Sequence, residues 1–245
     1  MKNFIVLFGI LLVCLSLTVT ARAGLEVDRI ETSGGVLAIT FIGHGSLMFE
    51  YNGKIINVDP YGRLTDYSKL PKADIILITH GHRDHADPGA AAAVRMDKTL
   101  VVLTEQVAKK FEGGMVMRNG ETKTVGGIDI KAVSAYNLVH MRNTGQPFHP
   151  KGEGNGYVIT FGDKRVYVAG DTENTPETKG LKSIDIAFLP MNLPYTMTPE
   201  MVADAAKAFK PKILYPYHFG NTDVSKLLAL MKDTPEVEVR VRGMK

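Results

Sequence analysis

The sequence predicts an α+β fold, a four-layer αββα sandwich in which two mixed β-sheets pack face to face and helices cover their outer faces. Two observations support this prediction. Each half of the chain begins with strands and continues with alternating helices and strands. Several of the later strands are unbroken apolar runs, as expected for strands that are buried on both faces.

In the first half, apolar patterns predict strands at residues 36–42, 47–51, 54–58, 75–78 and 100–103. Asn52-Gly53 supplies the tight turn of a hairpin between the second and third of these strands. Asp87 and Pro88 predict the start of a helix that continues to Met96, because a capping carboxylate precedes a proline in the first turn. A short amphipathic helix is expected at residues 107–111.

In the second half, the same patterns predict strands at residues 128–132, 156–161, 165–169, 185–189, 213–217 and 237–241. Helices are expected from Thr198-Pro199 to Phe209 and over residues 224–231. A long polar loop covers residues 136–155.

The N-terminal segment has the layout of a cleavable secretory signal. An apolar run from Phe4 to Leu15 follows a lysine, and Ala21-Arg22-Ala23 places small residues where a signal peptidase would cut. The run is shorter than the roughly 20 residues of a spanning helix. We therefore expect a signal peptide at residues 1–23, one domain at residues 24–245, no stable membrane insertion, and a periplasmic or secreted location. An uncleaved anchor is the alternative.

Composition excludes several classes of function. Loss of residues 1–23 would leave 222 of the 245 residues and lower the formal net charge from +3 to +1, so no electrostatic case for nucleic acid remains. The only cysteine, Cys14, would also be lost, so a metal site must use imidazole and carboxylate. No Gly-x-Ser-x-Gly motif or cysteine nucleophile is present in the expected mature chain. The oligomeric state cannot be read from these features.

The strongest signal in the sequence is a run of metal-binding residue types at the end of a buried strand. Three imidazoles and one carboxylate occur within six residues, at His80, His82, Asp84 and His85. These donors suit a borderline divalent ion, whereas clustered imidazoles without a metal would repel one another when protonated. Two more predicted strands end near Asp171 and His218, and rigid strands commonly position functional groups at their ends.

These residues resemble the metallo-β-lactamase superfamily, whose His-x-His-x-Asp-His signature they match without a gap. The resemblance extends from His44 to His218. Within the superfamily, the chain is similar to the metal-dependent hydrolases near ascorbate-phosphate lactonase and N-acylphosphatidylethanolamine phospholipase D. That similarity depends on Gly43-His44-Gly45-Ser46 and on Asp59-Pro60.

The resemblance implies a site for two divalent metal ions. His80 and His82 would bind one ion together with a third imidazole, and Asp84, His85 and His218 would bind the other. Asp171 would bridge both ions. Asp59 would orient a ligand histidine, a role that fixes the tautomer and basicity of the imidazole; a simple turn residue before Pro60 is the alternative.

The third imidazole departs from the family pattern. The family usually places it directly after the strand that here ends near Tyr136, where this chain has Asn137. His140 and His149 both lie in the following loop. Prolines flank His149 and favour it, while His140 or a two-histidine site are the alternatives. His44 is expected to contact the substrate or a ligand, and Tyr195 to donate to the substrate, although either could have a structural role.

Together these features predict a metal-dependent hydrolase that cleaves a small ester, lactone or amide. Two ions bridged by Asp171 would lower the pKa of a shared water and provide hydroxide, and Asp84 would orient it and pass its proton to the leaving group. Zinc is the expected metal, with manganese or iron possible. The alternatives are a phosphodiesterase, a di-iron redox protein of the same fold, and a metal-binding protein without turnover.

Overall fold

A computed structural model describes residues 24–245. The predicted signal segment, residues 1–23, lies outside the described residues. Among the helices that the structure does describe, none has the length and apolar character needed to cross a membrane.

Two seven-stranded sheets form the framework, one from each half of the described chain. The strands of the first sheet, in spatial order, are β1 (Glu26–Thr32), β2 (Gly35–Gly43), β3 (Ser46–Tyr51), β4 (Lys54–Val58), β5 (Ile75–Leu77), β6 (Leu100–Leu103) and β7 (Met115–Val116). Those of the second are β8 (Thr122–Val125), β9 (Ile128–Ala135), β10 (Gly154–Phe161), β11 (Lys164–Val168), β12 (Ile186–Pro190), β13 (Ile213–Tyr217) and β14 (Glu238–Val239).

Each sheet is antiparallel at one side and parallel at the other. Strands β1 to β4 pair antiparallel and β4 to β7 pair parallel. Strands β8 to β11 and β11 to β14 repeat this arrangement. The predicted α+β sandwich of two mixed sheets is therefore confirmed.

Helices connect the parallel strands. They are α1 (Pro88–Val94), α2 (Glu105–Ala108), α3 (Pro176–Lys179), α4 (Pro199–Phe209) and α5 (Val224–Met231), with a short 3₁₀ helix at Tyr67–Lys69. Val94 of α1 packs with Ile76 and Val101 on one face of the first sheet. On the second sheet, Phe209 of α4 contacts Tyr167, with ring centroids 6.2 Å apart.

The core between the sheets is rich in aromatic rings. Phe49 of the first sheet lies 5.5 Å from Phe161 and 6.1 Å from Phe188 of the second, measured between ring centroids. Phe41 and Phe188 each lie 5.0 Å from the ring of Tyr215. These contacts join the two sheets and fix their relative position.

Several elements differ from the sequence prediction. Strand β1 was not predicted, because Glu26–Thr32 alternates charged and apolar residues on a largely exposed edge. The short elements β7, β8 and α3 were also missed. The last strand spans Glu238–Val239 instead of residues 237–241. The strands that precede the predicted ligands lie close to their predicted bounds. The loops after these strands bring the ligand side chains together at one end of the sandwich.

Candidate metal centre

The turn after β5 places the His-x-His-x-Asp-His residues in a compact loop. The backbone amides of His85 and Ala86 both donate to the carbonyl of His82, at 3.1 and 2.8 Å, which closes the turn. A Cβ atom at Gly81 would lie 2.6 Å from Gln106 Oε1. The end of the Gln106 side chain therefore packs directly over the Gly81 backbone and would have to move to admit a larger residue.

The first cluster of possible ligands contains His80, His82, His149 and Asp171. His82 Nδ1 lies 3.0 Å from His80 Nε2 and 3.2 Å from His149 Nε2. Asp171 Oδ2 lies 3.2 Å from His149 Nε2 and 3.9 Å from His80 Nε2. Ligand atoms about 2.1 Å from a tetrahedral ion lie roughly 3.4 Å apart, so this spacing fits a zinc-sized cation.

The second cluster contains His44, Asp84, His85 and His218. Asp84 Oδ2 lies 3.0 Å from His44 Nε2, 3.8 Å from His85 Nε2 and 3.7 Å from His218 Nε2. The Nε2 atoms of His85 and His218 are 3.1 Å apart. His44 was expected only as a contact residue, and the geometry adds it to the possible ligands.

Asp171 lies between the two clusters. Its Oδ2 atom is 3.6 Å from His218 Nε2 and its Oδ1 atom is 3.5 Å from His85 Nε2, in addition to its contacts in the first cluster. Oδ1 is buried and has no hydrogen-bond partner among the described residues. An unsatisfied buried carboxylate oxygen facing imidazole nitrogens fits a cation between them. The donor set therefore fits two metal ions.

Histidines of the first cluster have lowered pKa values. The pKa of His80 lies well below its usual value, mainly because burial disfavours the charged form and because His85 adds repulsion. Burial and the neighbouring His149 lower the pKa of His82 to about 4. Both imidazoles are therefore neutral near pH 7 and offer a lone pair to a metal without first losing a proton.

The second cluster has the opposite balance. Burial alone would lower the pKa of His85, but the carboxylates of Asp171 and Asp59 outweigh burial and raise it to about 10. The pKa of Asp171 stays well below its usual value, because His218 and His85 more than offset its burial. The carboxylates near His85 stabilise a positive charge. A bound metal ion can supply this charge in place of the proton on His85.

Asp59 is connected to ligands of both clusters. This fully buried carboxylate accepts from His85 Nδ1 at 2.8 Å and from the Thr79 hydroxyl at 2.6 Å, both at Oδ2. The Thr79 hydroxyl also lies 3.0 Å from His80 Nδ1. These bonds leave Nε2 of His80 and His85 facing the clusters. Thr79 was missed in the sequence, because nothing in its local pattern separates it from any residue at a strand end.

Asn137 and Glu173 hold the loop that carries His149. His149 Nδ1 donates to Asn137 Oδ1 at 2.6 Å, and Asn137 Nδ2 donates to Glu173 Oε1 at 3.1 Å and to the Tyr195 carbonyl at 2.9 Å. Glu173 is fully buried and also accepts from the amides of Leu138, Val139 and His140. Asn137 stands where the family usually has its third histidine. In this chain it contacts His149, which enters the first cluster instead.

His140 lies outside both clusters. Its Nδ1 atom contacts Glu173 Oε1 at 2.7 Å, whereas His149 enters the first cluster. Of the two histidines left open by the sequence, the structure brings only His149 to the other ligands.

The backbone is strained at three of these positions. His44, Asp59 and His218 have φ angles of +52°, +45° and +46°, a left-handed region that non-glycine residues rarely adopt. The His218 amide donates to the His44 carbonyl at 3.0 Å, which links two of them. Strain of this kind often accumulates at functional sites, where the surrounding structure maintains it.

A cleft of about 400 Å³ lies over the two clusters. Besides the ligands, its lining comprises Arg142, Phe148, Asn192 and Tyr195. Tyr195 is 45% exposed, and its ring packs against Phe148 at a centroid distance of 5.0 Å. Tyr195 therefore borders the cleft and also packs against a neighbouring ring, which are the two placements that the sequence left open. Arg142 was not identified from the sequence, because its loop has no regular pattern.

A family profile described as a β-lactamase superfamily domain matches residues 38–218. The chain belongs to the metallo-β-lactamase superfamily. The matched range includes most of β2, all of β3 to β13, and every residue of the two clusters.

Relatives place this superfamily member among metal-dependent hydrolases. A "UPF0173 metal-dependent hydrolase" of Koribacter versatilis is 32% identical over 202 residues, 77% of this chain and 86% of the relative. One of Ligilactobacillus salivarius is 31% identical over 212 residues, 82% of this chain and 94% of the relative. A crystal structure from Parabacteroides distasonis has 48% identity and a TM-score of 0.86, covering 90% of this chain and 100% of that one. The chain therefore belongs to this metal-dependent hydrolase family.

In this metallo-β-lactamase superfamily member, each cluster takes donors from both halves of the chain. His80 and His82 follow β5 of the first sheet, whereas His149 and Asp171 follow β9 and β11 of the second. The second cluster likewise joins residues of the first half to His218, which follows β13. The site can form only where the two sheets meet.

Proposed function

We propose that this protein uses two metal ions to hydrolyse a small ester, lactone or amide. The observation that carries the proposal is a pair of four-donor clusters, joined by Asp171, at the floor of a cleft of about 400 Å³. Membership in a family of metal-dependent hydrolases supports the reaction class. The size of the cleft suits a small substrate.

Two zinc ions are the cofactors we propose. The first would be held by His80, His82, His149 and Asp171, and the second by His44, Asp84, His85, His218 and Asp171. Bound divalent ions act as Lewis acids and lower the pKa of water. Imidazole and carboxylate donors favour zinc, and the carboxylates leave room for manganese or iron.

Asp84 is the residue we assign to proton transfer. It lies in the lining of the cleft and is one-third exposed, so water and substrate can reach it. Its Oδ2 atom lies among the donors of the second cluster, 3.0 Å from His44 Nε2, which leaves the other carboxylate oxygen to take a proton from the attacking water and pass it to the leaving group. Hydrogen bonds from His218 and His44 outweigh burial and keep the pKa of Asp84 low.

Other residues of the cleft position the substrate. The Tyr195 side chain borders the cleft and can donate from its hydroxyl. Phe148, packed against Tyr195, covers part of the opening with an apolar ring. The resemblance of Gly43-His44-Gly45-Ser46 and Asp59-Pro60 to motifs of ascorbate-phosphate lactonase leads us to propose a cyclic ester among the small substrates. The resemblance of the same motifs to those of a phospholipase D makes a phosphodiester the competing proposal.

The test is activity with defined metal content. Protein stripped with a chelator should be inactive, and about two equivalents of zinc should restore hydrolysis of at least one member of a panel of lactones, phenyl esters, β-lactams, thioesters and bis-p-nitrophenyl phosphate. Cleavage of the phosphate alone would indicate a phosphodiesterase. Two irons with oxygen uptake, or two metals without any turnover, would contradict the hydrolase proposal.

We also propose export of the protein, with removal of residues 1–23. The basis is the apolar run followed by Ala21-Arg22-Ala23. Fractionation of cells that express the full chain, followed by N-terminal sequencing, should recover a mature protein that begins at Gly24. Recovery of the intact N-terminus in the membrane fraction would favour the uncleaved anchor.

A further inference from the structure

Arg142 lies at the mouth of the cleft and is not part of either cluster. It belongs to the loop between β9 and β10, and its side chain lines the cleft together with Phe148. Its Nη2 atom donates to the Phe148 carbonyl at 3.1 Å, and its guanidinium carbon lies 5.1 Å from the centroid of the Phe148 ring. These two contacts hold the cation over the cleft.

The positive charge of Arg142 has no carboxylate partner in the described chain. Within residues 24–245, no carboxylate oxygen lies within 4 Å of its guanidinium, whose side-chain contacts are with Phe148 and His82. The carboxylates that line the cleft are those of Asp84 and Asp171, and both belong to the two clusters. Arg142 is therefore a positioned cation that can accept an external anion.

The contact between Arg142 and His82 points to where such an anion lies. His82 Nδ1 faces the first cluster, so a neutral imidazole that binds metal there carries its hydrogen on Nε2. That Nε2 atom lies 3.4 Å from Arg142 Nη2. A guanidinium has donors and no acceptor. In that tautomer the two N–H groups converge on the cleft but cannot bond each other, so one anionic acceptor placed between them would accept from both.

We propose that the substrate carries a carboxylate that binds between Arg142 and His82 Nε2, next to the scissile group over the two clusters. This inference rests on the proposed hydrolase function and narrows its substrate to an ester, lactone or amide with a free acid. One guanidinium and one imidazole N–H match a single negative charge and the two oxygens of a carboxylate. A phosphate dianion would meet only one full positive charge.

The test uses three acetate esters of para-substituted phenols. They differ only in the para substituent of the phenol, which is methyl, carboxylate or phosphonate. With zinc-loaded protein, we expect kcat/KM for the carboxylate to exceed that for the methyl compound by about 10-fold to 100-fold, because a charge-assisted hydrogen bond contributes at this scale. In Arg142→Met this ratio should fall to about one, mainly through KM. Arg142→Lys should retain part of the preference. Arg118→Met is the matched control, because Arg118 is 65% exposed and lies outside the cleft.

Binding provides a second measurement that does not depend on turnover. Calorimetry should show that zinc-loaded wild-type protein binds 4-hydroxybenzoate more tightly than 4-methylphenol, and that Arg142→Met loses this difference. Equal kcat/KM values for all three acetates, with equal binding of the two phenols, would overturn the inference and leave the hydrolase intact. A preference for the phosphonate would overturn the assignment of a carboxylate. If no panel member is cleaved but the binding difference is present, the hydrolase proposal fails and the anion site stands.

Discussion

Asp59 shows how one buried carboxylate can serve two metal sites. It contacts His85 of the second cluster directly and His80 of the first through the Thr79 hydroxyl. Both contacts reach Nδ1 of the imidazole and thereby leave Nε2 for a cation. Partners of this kind fix the orientation and basicity of ligand histidines, and their loss commonly costs about 10-fold to 100-fold in metal affinity.

Substitutions at Asp59 and Thr79 should therefore affect the two proposed metal sites to different extents. Asp59→Asn should weaken zinc binding at both sites by about 10-fold to 100-fold. Thr79→Val should weaken the first site more than the second, because it removes the hydroxyl that contacts His80 while Asp59 keeps its direct contact to His85. Zinc titration against a chromophoric chelator separates the two sites. Equal losses at both sites in Thr79→Val would contradict the proposed connection.

His149 and His140 give a direct comparison within one loop. His149→Ala removes a donor of the first cluster, so its bound zinc should fall from two equivalents to about one. His140→Ala should keep two, because His140 contacts Glu173 instead of the cluster. Metal analysis after dialysis measures both variants, and the reverse result would assign the third imidazole to His140.

Two substitutions separate the proposed roles of Asp84 in metal binding and in proton transfer. Asp84→Ala should abolish turnover, and Asp84→Asn should lower kcat by about 100-fold or more while retaining more metal, because the amide can still coordinate but cannot take a proton. Metal analysis and steady-state kinetics on the same samples provide the measurement. Full activity in either variant would remove Asp84 from the reaction.

Local sequence could predict part of this site, and only part. The ligands between His80 and His85 are consecutive along one turn, so their pattern is visible in the sequence. Thr79, Glu173 and Arg142 act through contacts with residues that are distant in the chain or carry no motif. Their roles depend on how the loops meet, which residue types and spacing do not specify.

At the scale of secondary structure, α1 follows the metal-binding turn directly. Asp87 caps it and accepts from the amides of Gly89 and Ala90, at 2.9 and 3.2 Å. The same carboxylate accepts from the amide of Gly62 at 3.0 Å, in the loop after β4. The cap therefore joins the start of α1 to the loop that follows Asp59.

Asp87→Ala should lower the free energy of unfolding by about 1–2 kcal/mol, because it removes the cap of α1. Asp87→Asn keeps an acceptor and should lose less. Urea denaturation of the metal-free proteins measures both. Wild-type stability in Asp87→Ala would show that the cap contributes nothing.

The elements predicted correctly are those whose burial leaves a clear pattern. Unbroken apolar runs identified β5 and β6, and Asn52-Gly53 identified the hairpin between β3 and β4. Strand β1 carries charges that its local sequence cannot explain. Asp28 accepts from Arg242 at 2.8 Å and from the Tyr215 hydroxyl, so the strand is held by residues from the opposite end of the chain.

At the scale of the molecule, an aromatic core joins the two sheets. Phe188 is fully buried and packs against rings of both sheets, among them Phe49 and the stacked Tyr215. This layer fixes the position of one sheet against the other, and therefore the relative positions of the loops that carry the possible metal ligands.

Phe188→Ala should lower the free energy of unfolding by about 3–5 kcal/mol, the usual cost of deleting a buried ring from a packed core. Leu228→Ala is the control, because Leu228 is 45% exposed on α5 and its loss should cost less than about 0.5 kcal/mol. Thermal or urea unfolding measures both. A similar small loss in the two variants would show that the core tolerates the cavity.

Because each cluster takes donors from both halves of the chain, the proposed ions would link the two sheets. Ligands that bind only the folded state stabilise it in proportion to the logarithm of their concentration. The free energy of unfolding would then depend on the metal concentration in the compartment that holds the protein. Without metal, the contact between the two sheets would weaken at the proposed active site.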